Sequence, residues 1–316
     1  MASRTGFIYH DRFLEHDTGP GHPERPDRLR SITNHLKEQH IWTTLQHPLI
    51  DPAPEELILK VHTPEHVKFV RESCRRGIRL LDSGDTYVSP ESYDVALLAA
   101  GGATAAVDAV MNGLLKNAFC ALRPPGHHAE RNRVMGFCLF NSIALAARYA
   151  QGRYSLKRIA IVDWDVHHGN GTQEIFYADR SVLFISAHQY PLWPGTGARD
   201  EHGEGEGNGY TRNIPMPPGS GEKEYVEAFT HEVVPALEAY RPELILISAG
   251  FDAHRDDPLA NINLTEETFA ILTALIMDVA ESCCDGRIVS LLEGGYNQQA
   301  LGRSVEAHIR MLARFT

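Results

Sequence analysis

Short apolar runs along the chain alternate with longer stretches in which apolar residues recur every three or four positions. Segments 118–122, 158–162, 182–186, 244–248 and 287–292 read as strands, and 6–10 reads as a first strand. Ile159-Ala160-Ile161-Val162 and Leu244-Ile245-Leu246-Ile247 show no polar alternation. A strand apolar on both sides is buried on both faces, as in a parallel sheet covered by helices. Helical periodicity falls near 24–39, 64–80, 92–115, 139–151, 221–240, 265–284 and 298–314. This βαβα alternation predicts an α/β fold, a parallel sheet flanked by helices. No repeat period or low-complexity linker divides residues 1–316, so a single domain is expected.

The polar residues fall at informative places in this pattern. His127 and His128 follow 118–122; Asp163, Asp165 and His167 follow 158–162. Asp252 follows 244–248, and Glu293-Gly294-Gly295-Tyr296 follows 287–292. In open parallel sheets, ligand sites form just beyond the carboxyl ends of the strands. Asp163, Asp165 and His167 stand at period two, which in extended backbone puts them on one face. Two carboxylates and an imidazole so placed call for a cation between them. The plainer reading is a turn cluster, since Asp, His, Asn and Gly favour turns. Asp252 alone would read as a helix cap or loop carboxylate. Together, Asp165, His167 and Asp252 make three protein ligands with an open position, the pattern of a catalytic zinc site. His254 competes as a ligand, and the residue types also allow two metals.

His127 and His128 lie on a Pro/Gly loop and are candidates for general acid–base work. Asp163 and Asn170 are candidate partners that set their tautomers. A lone Tyr296 would be a core aromatic; at this edge it could donate to a developing oxyanion. The alternating glycines Gly203, Gly205, Gly207 and Gly209 do not match a dinucleotide fingerprint, and their interleaved glutamates would repel a pyrophosphate. They read as a flexible acidic loop.

Composition narrows the partners. The 316 residues are 43% hydrophobic, enough for a large core. A net charge of −11 without a basic stripe argues against a nucleic-acid partner and is compatible with a cationic substrate. The five cysteines are odd in number and form no C-x-x-C, which reads as reduced thiols in the cytoplasm. The first ten residues contain no apolar signal-peptide core, and no uninterrupted apolar run is long enough for a bilayer. A cytoplasmic location with no membrane partner is therefore expected.

The ordered segments 21–28, 123–130, 136–141, 163–171, 194–197, 249–252 and 293–296 together resemble the zinc-dependent histone deacetylase family, including its polyamine-deacetylating relatives. Asn170, where class I members usually carry Asp, resembles the class II branch. The resemblance implies the arginase–deacetylase fold with an eight-stranded parallel sheet. It implies Zn2+ on Asp165, His167 and Asp252, and His128 as base and acid. His127 would pair with Asp163, and Tyr296 would polarise the substrate carbonyl. Phe137 and Trp193, with Gly136 and Gly295, would border the channel for the substrate's aliphatic chain, with Leu259 and Asp85 at its rim. Potassium is implied at Asp163, Asp165, His167, Ser186 and Ala187, with a second site at Phe176, Asp179, Val182 and Tyr210.

The implied substrate is an acetylated lysine in a peptide or protein, or an acetylated polyamine. Polyamine-selective relatives in one branch carry a glutamate gatekeeper after the zinc-binding Asp. Leu259 stands there instead and favours lysine, while the acidic segment 201–206 keeps polyamines in view. A catalytically weak acyl-lysine binding module would suit a chain with His in place of Tyr296. A binuclear manganese hydrolase would need more bridging carboxylates.

Overall fold

The computed structural model describes residues 4–82 and 84–314, so the first three residues of the N-terminal reading lie outside it. Its strands are β1 (Thr5–Ile8), β2 (Asn117–Cys120), β3 (Ile159–Asp163), β4 (Val182–Gln189), β5 (Thr211–Met216), β6 (Leu244–Ala249) and β7 (Ile288–Leu292). They form one sheet in the order β1-β2-β7-β6-β3-β4-β5, and every neighbouring pair is parallel. All residues of β3 and β6 are buried, as their unbroken apolar runs require.

The sheet has seven strands among the described residues, where the resemblance implies eight. The segment at Gln46 comes beside β1 but forms a single bridge: Phe7 N–H donates to Gln46 O at 2.8 Å, and Gln46 N–H to Thr5 O at 3.0 Å. Pro48, two residues on, has no N–H to continue a ladder. β5 is absent from the sequence reading because its polar Thr211-Arg212-Asn213 and its Pro215 give no strand signal. An edge position tolerates both.

The helices are α1 (Asp27–Glu38), α2 (Glu55–Ile58), α3 (Pro64–Arg75), α4 (Ser92–Met111), α5 (Ser142–Tyr154), α6 (Asn170–Phe176), α7 (Glu222–Ala228), α8 (Val234–Tyr240), α9 (Glu266–Cys284) and α10 (Gln298–Ala313). A π-helical turn at Phe229–Val233 joins α7 to α8. Helices α1, α9 and α10 pack together, as do α4 and α5, and both groups lean on the sheet. Two helix starts fix site segments. Asn141 caps α5 by accepting from Ala144 N–H, and Asn297 caps α10 by accepting from Ala300 N–H, each at 3.0 Å.

Within the acidic loop, Gly203 and Gly207 are buried, while Glu204, Gly205, Glu206, Asn208 and Gly209 are exposed. Gly203 and Gly209 have φ of +96° and +86°, and a Cβ at Gly207 would lie 2.4 Å from Tyr177 O. Gly203 and Gly207 serve close backbone approach, with Glu204 N–H donating to Tyr177 O at 2.9 Å, while Gly209 supplies a positive φ.

Helix α4 is long and apolar enough, by length and composition, to cross a bilayer. Most of it is buried inside the protein, as the core helix of this sheet. It passes so near the 51–53 backbone that Leu97 O accepts from Ala53 N–H at 2.9 Å. A Cβ on Gly101 would lie 1.8 Å from Asp51 O. Helix propensity favours alanine over glycine by about 1 kcal/mol, but the backbone contact leaves no room for it. Gly101→Ala is therefore expected to destabilise the protein by about 1–3 kcal/mol, measured as a lower urea midpoint; an unchanged or raised midpoint would contradict this packing.

Candidate active site

The carboxyl ends of β3, β6 and β7 meet in one buried cluster. Asp163, the last residue of β3, aligns with Ser186 of β4 and Ser248 of β6. Its Oδ1 accepts from Asp165 N–H at 3.1 Å, which turns the chain, while Oδ2 lies 2.9 Å from His127 Nδ1. Asp165 and His167 turn the other way, toward Asp252. His167 Nδ1 lies 3.2 Å from both Asp165 Oδ1 and Asp252 Oδ2. One ligand atom from each of the three lies within 4.8 Å of the others. Of the three residues at period two, Asp163 is thus directed to the histidine pair. His254 does not join the group: its Nδ1 accepts from Asp256 N–H at 3.1 Å, and its Nε2 lies 3.4 Å from Glu266.

The residues fit a divalent cation such as zinc. Asp165 and Asp252 are buried, and backbone amides hold their other oxygens: Gly294 N–H to Asp165 Oδ2 at 2.7 Å, Val166 N–H to Asp252 Oδ1 at 3.0 Å. A Cβ at Gly250 would lie 2.2 Å from Asp165 Oδ2, and one at Gly294 would lie 2.0 Å from Asp252 Oδ2. The cradle therefore depends on two glycines. Burial alone would depress the pKa of His167, yet Asp165 and Asp252 push it up to about 10. The carboxylates thus draw a positive charge to this point. Two oxygens and one nitrogen with an open side match a catalytic zinc donor set.

The histidine loop is clamped from β7. Glu293 Oε2 accepts from Gly126 N–H at 2.7 Å and His127 N–H at 3.1 Å, and Ser248 Oγ donates to Oε1 at 3.2 Å. The rings of His127 and His128 are 3.9 Å apart between centroids. His128 Nδ1 lies 2.8 Å from Asn170 Oδ1 at the start of α6. Burial opposes charge on both rings. At His127 the carboxylates of Asp163, Asp165 and Glu293 win and push the pKa up to about 10. At His128, burial together with the charges of His127 and His167 holds it well below the ordinary range. Neighbouring groups driven apart in this way suit separate acid–base roles.

Tyr296 is held by its backbone, with Tyr296 N–H and Asn297 N–H donating to Asp257 Oδ2 at 2.6 and 3.2 Å. The Arg28 guanidinium sits 5.0 Å from the Tyr296 ring centroid and donates to Gly295 O at 2.7 Å and to Glu293 O. Burial and the nearby Asp252 raise the Tyr296 phenol well above its ordinary value, so its O–H stays a donor. Arg28 is fully buried and pairs with Glu24 Oε1 at 3.1 Å; Glu24 also takes Arg123 at 2.5 and 2.8 Å. Roles for Glu24, Arg28, Arg123, Asp257 and Glu293 are not evident from the sequence. The Glu24 to Arg28 spacing of four on a helical pattern is the one available signal.

A cavity of about 370 Å³ opens over this cluster. His128, His167 and Tyr296 line it, as do Gly136, Phe137 and Trp193, with Leu259 and Asp85. Trp193 and Leu259 remain 43% and 36% exposed, which puts them at the mouth. Leu192, Pro23 and His22 also line it and were not anticipated; His22 Nε2 lies 3.1 Å from Asp85 O. A Cβ at Gly136 would lie 2.5 Å from His128 and 2.6 Å from Trp193, so the wall needs glycine there. Gly295 lies behind the lining, where a Cβ would meet Leu301 and Phe251.

The residues implied for potassium lie at and just beyond the end of β3, at the end of α6 and the turn after it, in β4, and just before β5. Ser186 Oγ is 2.9 Å from His188 Nδ1, beside Ala187. Phe176 O accepts from Asp179 N–H at 2.9 Å, Asp179 O from Val182 N–H at 3.4 Å, and Tyr210 O from Phe184 N–H at 2.9 Å. The Asp179 carboxylate is taken by Arg148 at 2.6 Å and by Ser181.

Residues 22–312 match the family model for the histone deacetylase domain. A probable deacetylase of Archaeoglobus fulgidus is 44% identical over 295 residues, covering 93% of this chain and 81% of that protein. Human polyamine deacetylase HDAC10 is 39% identical over 316 residues, covering 95% of this chain and 47% of that protein. The crystal structure of the HDA15 HD domain has a TM-score of 0.93 at 39% identity, covering 98% of this chain and 89% of that one. The match thus runs through both the sheet and the segments that form the cluster, and the chain belongs to the histone deacetylase family of hydrolases.

Proposed function

We propose that this chain is a zinc-dependent amidohydrolase that removes the acetyl group from an N-acetylated amine, with acetyl-lysine in a peptide or protein as its substrate. One observation carries the reading: the buried Asp165–His167–Asp252 group lies under a cavity that His128 and Tyr296 also line. Asp165, His167 and Asp252 would hold the zinc. When bound, zinc supplies Lewis acidity to the carbonyl and lowers the pKa of water from about 15.7 to roughly 7.

The chain's own residues do the rest. His128 keeps Nδ1 on Asn170 and offers Nε2 to the cavity, where it takes a proton from the attacking water and returns it to the leaving amine. His127, paired with Asp163, keeps a positive charge beside it that favours the neutral, basic form of His128. Tyr296 O–H donates to the oxygen that becomes negative. Phe137 and Trp193 flank the aliphatic stem, and the Asp85 carboxylate at the rim can accept a backbone N–H of a peptide.

Leu259 at the mouth offers no carboxylate to a distal ammonium, which favours lysine over polyamine. The relation to a protein named polyamine deacetylase makes the acetylated polyamine the alternative substrate. Potassium on the residues implied for it above belongs to this reading. So does a cytoplasmic location, supported by five unpaired cysteines, four of them buried.

Zinc-loaded protein should turn over an acetyl-lysine peptide faster than N-acetylputrescine in parallel assays, with both rates blocked by a hydroxamate. Preference for the polyamine would move the substrate assignment, and turnover of neither with zinc bound would overturn the enzyme reading. Tyr296→Phe removes one oxyanion donor and should lower kcat by about a hundredfold or more with zinc content unchanged. Near-full kcat in that variant would remove Tyr296 from the chemistry.

A further inference from the structure

His127 and His128 are adjacent rings with different kinds of partner. His127 faces the Asp163 carboxylate, which is an acceptor from either oxygen and needs no orienting. His128 faces the amide of Asn170. An amide presents an acceptor at one end and donors at the other, and its two orientations have nearly the same shape. If the amide turned over, its NH2 would face His128 and the ring would have to carry its proton on Nε2. That nitrogen could then no longer accept a proton from water. Something must therefore hold the amide one way round.

The far end of Asn170 meets two acceptors. Its Nδ2 donates to Glu130 Oε1 at 2.9 Å and to Met135 Sδ at 3.4 Å. A turned amide would set Oδ1 against the Glu130 carboxylate, exchanging a charge-assisted hydrogen bond for a repulsion. Glu130 is itself fixed. Arg133 grips both its oxygens, Nε to Oε2 at 3.0 Å and Nη2 to Oε1 at 2.7 Å. Its backbone is tied as well: Glu130 N–H donates to Arg133 O at 3.0 Å, and Glu130 O lies 2.9 Å from His62 Nδ1. Asn170 is buried, so bulk water does not compete for its amide.

We infer that Glu130 is a positioning residue: it fixes the Asn170 amide with its oxygen toward His128 and so keeps the ring proton on Nδ1 and Nε2 basic. This rests on the reading of His128 as the proton-transferring residue. It also yields a reciprocal expectation. A carboxylate at position 170 needs no orienting group, so Asn170→Asp should make Glu130 dispensable.

The test combines ring-nitrogen NMR of 15N-histidine-labelled protein, with the His128 signals assigned by their loss in His128→Ala, and steady-state kinetics of the zinc-loaded enzyme. Wild type should show His128 as the Nδ1–H tautomer. Glu130→Ala should show mixed tautomers and a kcat about tenfold lower, with KM and Tm little changed. Glu130→Gln keeps the packing and loses the charge, and should move both readouts the same way by a smaller factor. Glu130→Ala combined with Asn170→Asp should recover the Nδ1–H tautomer, which is the readout taken from that variant. Wild-type tautomer and kcat in both Glu130 variants, or no recovery in the double variant, would overturn the inference. Absence of turnover in the wild type would instead count against the deacetylase reading, and the NMR arm would still decide the role of Glu130.

Discussion

Two carboxylates, Asp165 and Asp252, lie side by side out of water at the carboxyl edge of the sheet, both within reach of His167. In so dry a site burial and the Asp165 charge push the Asp252 carboxyl up, and a positive charge between the two relieves that cost. Much of the surrounding architecture answers that requirement. Backbone amides of Val166 and Gly294 satisfy the oxygens that face away from the shared point. Gly250 and Gly294 let the backbone come close enough to do so. The same negative field keeps His127 charged, and the charge on His127 in turn helps keep His128 neutral. A demand for positive charge at the shared point and a divided histidine pair are thus two consequences of one electrostatic constraint.

A second layer holds these groups in register. Glu293 joins β7 to the histidine loop, and Arg28 joins α1 to the chain that carries Tyr296. Glu24 meets both Arg28 and Arg123 in full burial; burial would raise its pKa, and the two arginines hold it down. Ion pairs of this kind contribute little net stability but are costly to break on one side, since the remaining charge is stranded. Their effect here is positional. They tie the N-terminal helix to the ends of two strands that lie far away in sequence.

The strands and helices were legible because burial on both faces leaves unbroken apolar runs, as in β3 and β6. The edges were not: β5 is polar and ends near Pro215, and the Gln46 segment stops at one bridge. Site residues at strand ends could be listed from position, and residue type grouped Asp165, His167 and Asp252; the resemblance supplied the division of roles between His127 and His128 and the channel residues. Period two did not separate Asp163 from Asp165 and His167, because the chain turns on the Asp163 side chain as β3 ends. Glu293, Arg28 and Asp257 stayed hidden because a buried charge is recognised by its partner, and the 126–127 amides, Gly295 O and the 296–297 amides that they meet lie far away in sequence. The glycines at 203 and 207 were opaque for a related reason, since only the neighbouring Tyr177 backbone reveals why they are small.

We propose that Asp165, His167 and Asp252 form a single zinc site. Titration of zinc into metal-stripped protein, followed by calorimetry, tests it most directly. One tight equivalent is expected in the wild type, with its loss in Asp252→Asn and the fold retained by circular dichroism. Tight one-equivalent binding that persists unchanged in Asp252→Asn, or no tight binding in the wild type, would contradict it.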